Sequence, residues 1–174
     1  RVRGAQAGRL RSDLAAKKKI LFSPRHACEW GMWGMVAATL DAARLLLERF
    51  PEVRHICLVS GACLPLRPPQ EFAAWLAGQP ETDFIESVTT ADVSWTMGGL
   101  DAERFTLRFP FSWRRHRRLF DGYVRLQRRL RMRRHIPEGM VPHLGSQWWC
   151  LTRETLSAIL NDPRRAEFDR YFSR

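Results

Sequence analysis

The sequence predicts an α/β layered domain, and three observations carry that prediction. A helical pattern over 32–50 runs into a continuous β-prone stretch, His55-Ile56-Cys57-Leu58-Val59-Ser60. A second bulky run, Gln147–Leu151, is followed at once by a helical pattern through Leu160. Between them helix-like and strand-like segments alternate, giving roughly β-α-β-α-β, a weakly patterned stretch, a long helix, and β-α-α.

Each element has its own signal. Residues 1–19 are polar and basic, with Leu10 and Leu14 the obvious apolar pair, and read as a frayed basic helix set apart from the domain at 20–174. Ile20-Leu21-Phe22, closed by Pro24, reads as a short strand. Val36, Leu40, Ala43 and Leu47 recur at helical spacing, and Pro51 ends that helix. The unbroken run at 55–60 reads as a strand buried on both faces of a mainly parallel sheet. Pro69 opens a helix to Leu76, with Gly78 as its stop. Phe84-Ile85-Glu86-Ser87-Val88 is a further strand. Residues 89–111 give weak signals, with a turn expected at Gly98-Gly99. Ser112 is expected to cap a basic helix to about Arg131, with Leu119, Tyr123, Leu126 and Leu130 lining one face and Trp113, Phe120 and Val124 flanking them. Thr152 is expected to cap the helix after the last strand, and Asp162-Pro163 to open another.

Composition narrows the function classes. The 174 residues are 45% hydrophobic with seven Trp and ten Phe, enough for a sizeable core and against wholesale disorder. Twenty-nine Lys and Arg against eighteen Asp and Glu give +11, which favours anionic partners: nucleic acid, lipid headgroups, sugar nucleotides or an acidic polymer. Cys28, Cys57, Cys63 and Cys150 form no Cys-x-x-Cys pair, so they read as buried small residues rather than a zinc or redox site. His26 and Cys28 alternate on what reads as a strand, but no further ligands lie near, and no metal site is assigned. No apolar run is long enough to span a membrane, and there is no signal-peptide pattern. A Walker loop, a dinucleotide fingerprint and a Gly-x-Ser-x-Gly elbow are all missing.

Four places hold side chains suited to chemistry. The loop Ser60-Gly61-Ala62-Cys63-Leu64-Pro65-Leu66-Arg67 follows the clearest strand, where α/β sheets bind ligands, and Arg67 suits a phosphate or carboxylate. A glycine there permits a tight turn and close ligand approach. In Gly145-Ser146-Gln147-Trp148-Trp149 the paired tryptophans face opposite ways, one for the core and one for a cleft, where an indole can stack on a sugar face. Glu86 interrupts an apolar strand, so it is either paired or at the strand end, and suits sugar hydroxyls. The segment Arg104–Arg134 holds twelve arginines, some sharing a helical face. Trp95, Trp113 and Tyr123 offer little interleaving for base stacking. Each of these also has an ordinary structural reading: a strand-end loop, two core aromatics, an ion pair and a solvated basic face.

Together the quoted segments resemble the core-2/I-branching glycosyltransferase family of β-1,6-N-acetylglucosaminyltransferases and peptide O-xylosyltransferases, notably its bacterial peptide O-xylosyltransferase-like members. Trp30-Gly31 with the helix after it, Leu58–Arg67, Phe84-Ile85-Glu86 and Gly145–Arg153 carry the likeness, over about residues 20–172. The resemblance implies an A-type nucleotide-sugar glycosyltransferase fold, Rossmann-like and incomplete at both ends of this chain. It implies an inverting, metal-independent transfer from UDP-xylose or UDP-N-acetylglucosamine to a carbohydrate or glycoconjugate acceptor, with a carboxylate as general base. No separate cofactor is implied. Trp30, Gly31, Ser60, Gly61 and Arg67 match donor-side positions; Glu86, Ser146 and Trp148 match acceptor-side ones. Cys63 stands where the family usually has aspartate. The family's catalytic glutamate follows the part resembling Thr152–Phe172, so no catalytic residue is assigned here, and the 174 residues are expected to be an internal fragment with little activity. A bacterial cytoplasmic location is expected, with membrane association known among full-length relatives. The competing reading is a basic module that binds nucleic acid or an anionic polymer.

Overall fold

The computed structural model describes residues 4–15, 17, 19–93 and 100–173. Trp95 and the expected Gly98-Gly99 turn lie outside them. The described elements are α1 (Gly4–Leu14), α2 (Trp33–Arg49), β1 (His55–Leu58), α3 (Pro69–Ala77), β2 (Phe84–Ile85), β3 (Val88–Thr89), α4 (Glu103–Thr106), α5 (Arg117–Arg129), β4 (His143–Leu144), β5 (Trp149–Thr152), α6 (Arg153–Leu160) and α7 (Arg165–Phe172).

Helices and strands do mix as expected, but the sheet is not parallel. β5 is the middle strand of a three-stranded sheet ordered β1-β5-β2, and both of its pairings are antiparallel. β3 and β4 form a separate antiparallel pair. A short apolar run records burial but not strand direction, which is set by a partner almost a hundred residues away in sequence. β1 also has only Ile56 buried, the other three residues being half-buried. The expected strand at Ile20–Phe22 does not form; Phe22 instead lies under the guanidinium of Arg11, 5.0 Å from its ring centroid. His26 therefore sits in irregular chain and pairs with Asp41 at 2.7 Å.

The main core joins α2, α6 and the sheet. Ala43, Leu47, Ile56, Leu151 and Leu156 are buried together, with Trp149 and Leu160 packed against them. Thr152 caps α6 as expected, its hydroxyl accepting from Thr155 N–H at 3.2 Å. Asp83 adds a second cap: its carboxylate accepts from Thr152 N–H at 2.7 Å and from the Thr155 hydroxyl at 2.6 Å. Arg153, the first residue of α6, donates to the carbonyls of Leu47 (2.9 Å) and Phe50 (3.0 Å). A cation thus closes the C-terminus of α2, where carbonyls lack helical partners and the dipole is negative.

A second buried group lies under α5. Phe105, Leu107 and Val124 are buried, and Gln127 fastens to one residue of the facing chain, accepting from Arg108 N–H and donating to Arg108 C=O, both at 2.9 Å. Here the sequence reading is corrected twice. The helix starts at Arg117 and not after Ser112, whose carbonyl accepts from His116 N–H in a preceding turn. The packed face is Phe120-Val124-Gln127, while Leu119, Leu126 and Leu130 point to solvent. Of the three packed residues only Phe120 and Val124 are apolar, against three exposed leucines, so a count of apolar side chains favours the leucine face. Arg134 closes this side, donating to the carbonyls of Arg104, Phe105 and Tyr171 and lying over the Tyr171 ring. Asp162 accepts from Arg164 N–H, and α7 begins at the next residue, two positions later than Pro163.

Two predictions follow from the caps. Arg153→Ala is expected to cost about 1.5–3 kcal/mol in urea unfolding, the range for hydrogen bonds to a charged group, with Arg153→Lys recovering part. Equal stability of both variants to the parent would contradict the clamp. The Asp83 carboxyl feels burial, which opposes ionisation, but the Thr152 and Thr155 hydrogen bonds and the His55 charge outweigh it and lower its pKa. The folded-state value therefore lies below the unfolded one. This stabilisation is complete above the ordinary carboxylate range and is lost as pH falls through the folded-state value. Asp83→Asn should flatten that acid limb of a stability-against-pH curve; an unchanged limb would place the acid sensitivity elsewhere.

Candidate functional site

The sheet register gathers three of the four singled-out segments. Leu58 of β1 and Ile85 of β2 both pair with Trp149 of β5. Immediately beyond that row, at the same end of the sheet, come Val59-Ser60-Gly61 after β1, Glu86 after β2, and Ser146-Gln147-Trp148 before β5. A Cβ on Gly145 would lie 1.9 Å from the Glu86 carbonyl oxygen. Only glycine allows the chain entering β5 to press against the chain leaving β2, so Glu86 and Ser146 are held as neighbours.

Glu86 is exposed and lies between β2 and β3, at the strand end rather than buried in a strand. It has no ion pair among the described residues. Ser146 accepts from Trp148 N–H at 3.1 Å, which shapes the approach to β5. The two tryptophans divide as expected: Trp149 packs against the core, and Trp148 is about half exposed. Beside them Ser87 Oγ meets His143 Nδ1 at 2.9 Å, across the β3–β4 pair. Neither residue carries a sequence signal; their meeting depends on strand pairing between distant segments.

The loop after β1 is a tight turn, with Cys63 N–H donating to the Ser60 carbonyl at 3.0 Å. Ser60 Oγ accepts from Ala62 N–H at 3.2 Å and lies 3.2 Å from Cys63 Sγ. Gly61 is not demanded by this turn: a Cβ there would meet nothing within 4 Å. Arg67 is exposed and pairs with Glu71 on α3, 3.4 Å away. Trp30 and Gly31 sit before α2. Gly31 has φ +77, a left-handed conformation that favours glycine, and the guanidinium of Arg114 lies 4.8 Å from the Trp30 ring centroid. The structure thus brings Ser60, Gly61, Glu86, Ser146 and Trp148 to one sheet end, whereas the contacts of Trp30 and Arg67 run to Arg114 and Glu71. A cavity of about 330 Å³ lies between α2 and α6, lined by Leu47, Arg153 and Ser157 among others, and none of the strand-end residues lines it. Among the described residues no cluster of three or more His, Cys, Asp or Glu is placed to hold a metal ion.

Two of the cysteines expected to be buried, Cys28 and Cys63, are exposed. The Cys63 thiol is lowered below its usual range by the Ser60 hydroxyl, with the Ser60 backbone contributing. Burial pushes Cys150 up to about 12. Peptide-resolved alkylation at neutral pH should label Cys63 well before Cys150, and Ser60→Ala should slow labelling of Cys63. Equal rates in the two proteins would remove Ser60 as the cause.

These strand-end residues can offer hydroxyls, a carboxylate and an exposed indole to a polyhydroxylated ligand. Comparison with curated proteins gives no match. A family model described as core-2/I-branching enzyme matches residues 9–172, which include β1 to β5 and the whole sheet end. The chain belongs to the core-2/I-branching enzyme family, whose members are glycosyltransferases.

Proposed function

We propose that the protein transfers xylose or N-acetylglucosamine from a UDP-sugar to a hydroxyl of a carbohydrate or glycoconjugate, inverting the anomeric centre without an essential metal. In that reaction the acceptor oxygen attacks the anomeric carbon, the bond to the diphosphate breaks, and the acceptor proton passes to a general base. The leaving diphosphate needs positive charge nearby. The observation that carries this reading is the gathering of Ser60-Gly61, Glu86 and Ser146–Trp148 at one sheet end in a chain of this family. Glu86 is assigned to hydrogen bonds with acceptor hydroxyls and Trp148 to stacking on a sugar face. The Ser60 loop, Arg67 and the Trp30-Gly31 turn are assigned to the donor side. The A-type nucleotide-sugar fold belongs to the same proposal, supported by mixed layers with loops collected beyond the strand ends.

Calorimetric titration with UDP, UDP-xylose and UDP-N-acetylglucosamine tests the donor side. Saturable binding of one UDP-sugar is expected, and binding of none by the folded protein counts against the donor assignment. In a transfer assay with an active form of the protein, Glu86→Gln is expected to raise the acceptor KM on the order of tenfold, the scale of one charged hydrogen bond, with donor affinity unchanged. Unaltered acceptor kinetics would sink the role of Glu86.

A further inference from the structure

The outer face of α5 carries two parallel stripes that the transfer reaction does not use. Arg118, Arg125 and Arg129 are spaced by seven and four residues, so they share one side of the helix. Each is followed directly by a leucine, giving Leu119, Leu126 and Leu130 a stripe of their own alongside. The leucines are 55%, 47% and 59% exposed, since Phe120, Val124 and Gln127 already fill the packed face. Trp113 and Met132 extend the exposed apolar surface at either end of the helix.

The charges sort in the same way. Arg128 and Arg133 pair with Glu103, Arg117 with Asp121 and Arg115 with Glu29. Arg118, Arg125 and Arg129 have no ion pair among the described residues. Asp121 is the sole acidic residue between Arg104 and Arg134. We propose that this face of α5 docks on the surface of an anionic lipid bilayer, the leucines entering the acyl boundary and Arg118, Arg125 and Arg129 meeting lipid phosphates.

Long cationic side chains beside an apolar stripe are the arrangement of helices that lie in a membrane interface. Among the described residues no helix is long and apolar enough to cross a membrane, and α5, with arginines along its length, is of the surface-lying kind. A nucleic acid is less well matched. Phosphate contacts make no use of three aligned leucines, and the nearby indoles each already carry a guanidinium over the ring, Trp30 that of Arg114 and Trp113 that of Arg117. A second copy of the same face would set its unpaired arginines against one another.

The test is flotation of the chain with vesicles of equimolar phosphatidylcholine and phosphatidylglycerol, against phosphatidylcholine alone, at physiological salt. Binding to the anionic vesicles alone is expected. The variant R118Q/R125Q/R129Q should weaken it on the order of a hundredfold, from the contribution of each arginine near a charged surface. L119S/L126S/L130S, which keeps the charge, should weaken it about tenfold or more. Leu126→Cys carrying an environment-sensitive dye, in a C28S/C63S background that removes the exposed native thiols, supplies a readout that does not need the triple variant to fold: a blue shift on anionic vesicles is expected. An unshifted dye, or binding indifferent to the leucine variant, would overturn the proposal. So would an RNA oligonucleotide binding as tightly at the same salt with no leucine dependence, or a leucine-dependent dimer without vesicle binding.

Discussion

The structure depends on β5 being paired along both edges. Four residues, Trp149–Thr152, set the register of β1 on one side and β2 on the other, and their last residue is already the cap of α6. Three consequences come from that one strand. Leu151 enters the core with Ile56 and Leu47. Thr152 and Arg153 fix the start of α6 against Asp83 and against the end of α2. At the other end, the row through Leu58, Trp149 and Ile85 decides which loop residues become neighbours. A one-residue slip would reverse the side chains facing the core and separate Glu86 from Ser146.

Charge has three separate duties here, and composition does not tell them apart. Arg153 and Arg134 are structural donors whose guanidinium groups collect main-chain carbonyls, those of Leu47 and Phe50 for Arg153 and those of Arg104, Phe105 and Tyr171 for Arg134. Burial lowers the pKa of Arg134, the electrostatic cost of holding a cation away from water. Arg128 and Arg133 share the carboxylate of Glu103 and tie α5 to α4. Arg118, Arg125 and Arg129 do neither, and they are the ones aligned with exposed leucines. A net charge of +11 therefore overstates how much of the arginine content is free to meet a ligand.

Local chemistry was legible in the sequence and long-range pairing was not. The α2 periodicity, Pro69 opening α3, Gly78 ending it and the Thr152 cap all depend on contacts within a few residues, and each is found. The division of Trp148 from Trp149 is equally local, since alternate residues of a strand face opposite ways. Strand direction failed because it depends on closing loops of many residues. The α5 face failed for a different reason. Packing there is anchored by Gln127, whose amide satisfies both backbone groups of Arg108, and hydropathy counts such a residue as outward-facing. Of the site, Ser60, Glu86 and Trp148 were readable as residue types after strands. His143, Ser87 and Asp83 were not, because their partners lie 56, 56 and 69 residues away.

Gly145 shows how the two kinds of information combine. As a sequence position it is one glycine before a serine, with no preference that marks it. In the structure its missing side chain is what allows two chain segments to touch, and the contact falls between Glu86, just beyond the end of β2, and the turn that presents Trp148. A sugar ring has an apolar face and a rim of hydroxyls, so a site for it needs a flat ring and a hydrogen-bond acceptor at a fixed separation. Neither Glu86 nor Trp148 is fixed by burial, since both are exposed. Their separation is fixed instead by backbone: by strand register on the β5 side and by the Gly145–Glu86 contact on the other. An alanine at 145 would force those backbones apart while leaving both side chains present, so the geometry of the pair, rather than its chemistry, is what that glycine protects.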